Sequence, residues 1–219
     1  MKPALHLVRE SFPDRPAFGT AVSRAILMRV AAGDLPETVR LGRPGRSVAF
    51  GRQDRASPGY PEAVRAARAA GFEAVERLAG GRAALYHEGT LHLSRAHRAE
   101  HPGAATRARF EEMAELVRAA LAALGVDAHV GEVPGEYCPG AFSVNARGRS
   151  KLAGIGQRVI AGGAHVGGVV VATESRLLRG VLDPVYAALG LGWDPPTAGA
   201  VDDELEGIGI EEVEGAALR

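Results

Sequence analysis

The chain carries one cysteine, Cys138, and only two lysines, Lys2 and Lys151, among 26 basic residues that are otherwise arginine. Cys138 and Lys151 stand in one stretch, "GEYCPGAFSVNARGRSKLAGIGQR". A thiol is a useful nucleophile as its thiolate, which a neighbouring cation or helix N-terminus favours. Lysine offers a compact amine whose protonation responds to burial, which guanidinium does not. In a chain that otherwise prefers arginine, a lysine here points to an amine with a task. It could stabilise a thiolate, donate to a carbonyl oxygen or shuttle a proton. The plain alternatives are a small buried apolar cysteine and a solvated lysine. Pro139 and Gly140 weigh against the first, because "EYCPGAF" reads as a tight turn and not as a buried strand.

A second constellation is "RLAGGRAALYHEGTLHLS", Arg77 to Ser94. Gly80 and Gly81 let backbone N–H groups approach a ligand without interference from a Cβ. Arg77 before them and His87 after them are the charged and titratable candidates, although a strand histidine is most often structural. Gly154, in the "KLAGIGQ" strand, is a candidate contact for a bound group. His165, in "AGGAHVGG", is the weaker histidine. There is no G-x-S-x-G and no P-loop, so serine-hydrolase and nucleotide-loop chemistry have no motif behind them.

These residues must be positioned by alternating short strands and helices. "FGTAVSRAILMRVAAGD" reads as a helix with Phe18, Val22, Ala25 and Ile26 on one face and Gly33 as its stop. Residues 38–43 and 47–52, separated by Pro44-Gly45, read as adjacent strands. A compact helix follows from Pro61 to Gly71, then a strand in "FEAVER", then two extended segments around Glu88-Gly89. The longest helix is expected over 105–124, with Phe110, Met113, Val117, Leu121 and Leu124 sharing a face and Arg109 largely outside it. "VDAHV", "AFSVNA", "KLAGIGQRVI" and "HVGGVVVAT" read as strands. The helix from Ser175 should be broken in two at Pro184. The result is an α/β (α+β) single domain, a mixed and largely antiparallel sheet flanked by helices. It spans 1–190, and 191–219 is an acidic, partly mobile tail with room for a last helix.

Composition narrows the class. Formal net charge is zero, with 46% hydrophobic and 24% charged residues, so neither nucleic acid nor an acidic membrane is an expected partner. A lone cysteine excludes a disulfide framework or a multi-cysteine metal site and fits a reducing, cytoplasmic compartment. The N-terminal "MKPALHLVRESFPDRP" has no continuous apolar core of the kind a signal peptide needs.

Together, "ERLAGGRAALYHEGTLHLS" and "YCPGAFSVNARGRSKLAGIGQRVIAGGAHVGG", and more loosely "SVAFGRQD", resemble the lipoate–protein ligase and octanoyltransferase family, which shares its fold with biotin–protein ligases. The Arg-x-x-Gly-Gly…His loop followed by Lys-x-x-Gly-x-x-Gln-Arg is the specific part. The ATP-using ligases of that family carry Arg-Arg-x-x-Gly-Gly-Gly; here Glu76 precedes Arg77 and Arg82 replaces the third glycine, which speaks against an acyl-adenylate. "YCPG", with the cysteine before the lysine, is similar to the branch that moves octanoyl groups from the glycine-cleavage H protein to other lipoyl domains.

The resemblance implies an octanoyl or lipoyl thioester on Cys138, with Lys151 against the acyl carbonyl and Arg77, Gly80, Gly81, His87 and Gly154 binding substrate. Donors would be the glycine-cleavage H protein or acyl carrier protein. Acceptors would be lipoyl domains of 2-oxoacid dehydrogenase E2 subunits. Neither a metal nor a nucleotide cofactor is expected. The rival readings are an acyl-carrier-protein-dependent octanoyltransferase, an ATP-dependent lipoate ligase and a non-enzymatic binder of acylated carriers. An eight-carbon chain, at about 0.8 kcal/mol per CH₂, calls for an apolar tunnel.

Overall fold

A computed structural model describes residues 5–219. The chain begins with β1 (His6–Arg9), α1 (Pro16–Ala32), β2 (Thr38–Gly42), β3 (Ser47–Phe50), α2 (Arg52–Arg55) and α3 (Tyr60–Ala69). It continues through β4 (Glu73–Glu76), β5 (Ala84–Tyr86), β6 (Thr90–Arg98), α4 (Thr106–Ala123), β7 (Ala128–Val130) and β8 (Val144–Ala146). β9 (Ser150–Ile160), β10 (Gly163–Val171), α5 (Ser175–Ala188), two single 3₁₀ turns and α6 (Ile210–Ala217) complete it. Among the described residues, no helix is long and apolar enough to cross a membrane.

Seven strands form the main sheet in the order β1-β2-β6-β10-β9-β8-β7; β1 pairs with β2 in parallel and the rest are antiparallel. Three more form a small sheet, β4-β3-β5. The reading of β2 and β3 as adjacent strands is therefore corrected: they belong to different sheets. Gly45 makes the crossing, because a Cβ there would fall 1.8 Å from the Pro13 carbonyl oxygen.

Alternation along the strands separates two environments. Leu41, Leu91, Leu93, Val166, Val170 and Ala153 face α4 and α6 and form one core. Their strand neighbours Arg40, Gly42, His92, Gly167, Val169, Gly154 and Gly156 line the opposite face, where a cavity lies between the two sheets and α1. Several of these are glycines, and strands without side chains leave that layer hollow. A second core joins the small sheet to α3 and α5.

Three helix readings change. In α1 the buried residues are Ser23, Leu27 and Val30, while Phe18 is 39% exposed. Apolar residues surround this helix, so periodicity does not select a face, and a hydrogen bond from Arg40 to the Ser23 hydroxyl turns it. In α4 Arg109 is buried, bonded to the Gln157 side chain and the Pro102 carbonyl. α5 runs unbroken through Pro184 because Leu178, Val181, Leu182, Val185 and Tyr186 all pack into the core, and packing outweighs propensity. Beyond residue 190 the chain is also built in: Ala198 and Ala200 enter the second core, and Val201 and Val213 the first.

Candidate active site

Cys138 lies in the connection between β7 and β8, and its backbone adopts φ 44°, the left-handed region that a non-glycine residue rarely enters. Several groups hold it there. Its N–H donates to the Tyr186 hydroxyl at 2.8 Å, which in turn donates to the Ala83 carbonyl at 2.9 Å. Its carbonyl accepts from the Lys151 ammonium at 2.8 Å. The sulfur points to the β4–β5 loop, where it receives the Arg82 backbone N–H at 3.1 Å and the Arg77 guanidinium at 3.5 Å. A cation and an oriented backbone amide thus both meet the one sulfur.

Gly81 makes this contact possible. Its φ is 115°, and a Cβ there would stand 2.8 Å from both Cys138 Sγ and Arg77 Nη1. Gly80 donates its N–H to the Gln157 carbonyl at 3.3 Å, which ties the loop to β9. The third glycine of the ligase pattern is replaced by Arg82, whose side chain reaches the buried carboxylate of Asp54 at 3.2 Å. Burial works to lower the Arg77 pKa, but the neighbouring sulfur and the Tyr86 phenol outweigh it and the net shift is upward. Burial raises the Tyr86 and Tyr186 phenols, so both remain protonated.

Lys151 is 1% exposed, and each of its three ammonium hydrogens has an acceptor: Glu136 Oε1 at 2.9 Å, the Tyr137 carbonyl at 2.9 Å and the Cys138 carbonyl at 2.8 Å. Its Nζ also lies 4.8 Å from the Tyr137 ring centroid. Glu136 is the hub of the turn, accepting additionally from Val133 N–H, Gly140 N–H and the Ser143 hydroxyl. Lys151 thus braces the backbone that carries the thiol, and it still borders the cavity beside Gly154. The cation that meets the sulfur is Arg77.

The cavity has a volume of about 480 Å³ and is bordered by Arg77, Gly80, Gly81, Cys138, Lys151 and Gly154, so six of the seven residues singled out from sequence converge on it. His87 does not line it. Its ring is fully buried, Nδ1 accepts the Gly89 N–H at 3.1 Å, and burial lowers its pKa. His165 does line the cavity, at a distance in sequence from the thiol turn. Sequence reasoning passed over Glu136 and Tyr186. Glu136, two residues before the cysteine in a chain with a lone nearby lysine, was open to detection. Tyr186 was not, since nothing local marks a helix tyrosine as a partner of a remote N–H.

A hollowed sheet layer, a glycine-lined slot and a thiol facing a cation meet in the candidate site of this α/β domain. The chain belongs to the lipoyl protein ligase A/B catalytic domain family, whose model matches residues 15–188. It is 30% identical over 171 residues to an octanoyl-[GcvH]:protein N-octanoyltransferase of Bacillus velezensis, covering 76% of this chain and 58% of that protein. It is 33% identical over 146 residues to a protein of the same name from Geobacillus kaustophilus, covering 67% and 51%. The chain thus spans little more than half the length of these relatives. Among solved structures, a bi-partite lipoate protein ligase from Thermoplasma acidophilum superposes with a TM-score of 0.73 at 20% identity, over 98% of this chain and 80% of that one. A lipoate-protein ligase A bound with ATP superposes at 0.74, also at 22% identity, over 100% and 83%.

Proposed function

We propose that this chain is a cytoplasmic protein-lysine octanoyltransferase that works through a thioester on Cys138, without nucleotide or metal. The carrying observation is the sulfur itself, held in a left-handed turn, in contact with Arg77 and the Arg82 N–H, at the edge of a cavity fit for an acyl chain. The names of the relatives support an octanoylated glycine-cleavage H protein as donor. Lipoyl domains of 2-oxoacid dehydrogenases are the acceptors on this reading.

In the first half-reaction the sulfur attacks the carbonyl of the donor's octanoyl-lysine amide. The C–S bond forms, the C–N bond breaks, and the thiol proton leaves on the lysine amine. In the second, an acceptor lysine amine attacks the thioester, the new amide forms, and the sulfur regains a proton. Arg77 stabilises the sulfur before attack and after release. Lys151 and Glu136 keep the turn from relaxing, a positioning task; contact between Lys151 and the acyl carbonyl requires exchange of one of its three present acceptors.

Incubation with octanoylated H protein in the absence of ATP, followed by intact mass, tests the proposal. One octanoyl group gained, released by hydroxylamine and missing in Cys138→Ala, is the expected result. An adduct from octanoylated acyl carrier protein alone would keep the mechanism and change the donor. No adduct from either would overturn it.

A further inference from the structure

The β4–β5 loop that meets the sulfur is held from outside the cavity, by α2. The peptide joining Gly81 to Arg82 makes the contact, and among the described residues its N–H has no backbone acceptor and goes to Sγ. Its carbonyl side seats against the start of α2, where a Cβ on Gly51 would fall 1.8 Å from the Gly81 oxygen. Two ion pairs join α2 to the ends of the loop. Arg55 meets Glu76 at 2.7 Å, an exposed contact that solvent screens. Asp54 meets Arg82 at 3.2 Å. Arg77 also donates to the Arg82 carbonyl, which fixes the following peptide but not the one that bears the N–H.

Asp54 is the informative residue of this clamp. It is 0% exposed, and its two oxygens have separate tasks. Oδ2 accepts the Gly51 N–H at 2.8 Å and so caps α2, while Oδ1 accepts from Arg82 Nη1. It therefore holds both residues that flank the peptide at the sulfur, Gly51 on the carbonyl side and Arg82 on the amide side. Neither Asp54 nor Arg82 borders the cavity, so neither is placed to touch a bound acyl chain. The cost of burying a carboxylate can exceed what its ion pair returns, and packed apolar residues often hold a fold as well. The cap alone needs no charge, since Asn and Ser cap helices too. What the charge adds is a hold on Arg82.

On the reading that Cys138 carries the acyl group, we propose that Asp54 is a positioning residue of the transfer reaction: its carboxylate anchors the Arg82 side chain and so fixes the Arg82 N–H on the sulfur. The side chain is drawn to one side of the backbone and the N–H is presented to the other. Without the anchor, the Arg82 side of the peptide is free to turn, next to a Gly81 that has no side chain to resist it. A nucleophile whose partner wanders spends less time aligned for attack, which lowers the rate of the chemical step and not the binding of the donor.

Asp54→Asn separates the two tasks. The asparagine oxygen still accepts the Gly51 N–H, whereas its NH₂ turns donors towards Arg82. In octanoyl transfer from octanoylated H protein, kcat should fall roughly tenfold or more with the donor KM unchanged. Arg82→Met should do the same, and the double variant should be no slower than the slower single variant, because both changes cut one link. Native-state hydrogen exchange supplies a readout that needs no turnover. The Arg82 N–H should exchange roughly tenfold faster or more in Asp54→Asn, while the Gly51 N–H keeps its protection; a merely structural role would loosen both together. An unchanged kcat, or Arg82 exchange equal to that of the unaltered protein, overturns the proposal. Should Asp54→Asn not fold, Arg82→Met and Arg82→Lys decide by the same two measurements, the lysine being expected to restore much of what methionine loses. No thioester on the unaltered protein would sink the transfer reading, and exchange would still decide whether Asp54 anchors the amide. Normal transfer by Asp54→Asn would sink this inference alone.

Discussion

At the scale of single residues, the thiol turn is an arrangement in which each partner has a separable consequence. Arg77→Met leaves the sulfur with only the Arg82 amide. Alkylation of Cys138 by iodoacetamide should slow, because the cation in contact with the sulfur is gone. Gly81→Ala acts from the other side, by forcing a Cβ against Sγ and Arg77 Nη1 in a backbone conformation that alanine disfavours. It should cost about 1–2 kcal/mol of stability for the left-handed φ alone, read by urea melting, with loss of thioester formation.

The pair of Lys151 and Glu136 behaves differently, since both groups are buried and each satisfies the other. Lys151→Met strands a buried carboxylate and should destabilise by about 3–5 kcal/mol. Lys151→Met combined with Glu136→Gln should cost clearly less than the two single changes added, a coupling that a double-mutant cycle measures. Additive costs would show that the two side chains do not act as a unit.

At the scale of elements, α5 does more than cover the small sheet. Its Tyr186 hydroxyl connects the Cys138 N–H to the Ala83 carbonyl, joining the helix, the thiol turn and the entry to β5. Tyr186→Phe leaves a donor and an acceptor without partners and should cost about 1–3 kcal/mol. The larger signature is expected in activity, because the N–H it frees is that of the proposed nucleophile. Equal stability and equal thioester yield in Tyr186→Phe would show that the turn holds itself. The same helix shows why Pro184 misleads as a breaker: five buried side chains hold the helix through it.

At the scale of the whole molecule, the polar cavity links stability to pH. His165 is buried and its pKa is lowered to about 4 by burial, then by the Arg40 and His97 charges. The unfolded chain therefore binds the proton more readily, near the ordinary histidine value of about 6.5. Stability from this group is complete above that value and is lost as pH falls towards 4. Between pH 7 and 5 the expected loss is on the order of 1–2 kcal/mol. His165→Gln should flatten the pH dependence of the melting temperature in this window, and an unchanged slope would rule the histidine out as its source.

What the sequence by itself determined is the set of rare residues and the local order of elements. Cys138 and Lys151 stand out by scarcity, Arg77, Gly80 and Gly81 by their spacing, and β9, β10 and α4 by clear periodicity. These are properties of neighbours along the chain, so composition and period reveal them. Only the tertiary structure decided which cation meets the sulfur, since Arg77 lies 61 positions from Cys138 and the nearer-seeming Lys151 is spent on backbone carbonyls. It also decided that β2 and β3 part into two sheets, that Ser23 turns inward, and that His87 stays out of the cavity. Each of these follows from close packing between segments remote in sequence, where a single carbonyl oxygen or hydroxyl sets the outcome and no local pattern records it.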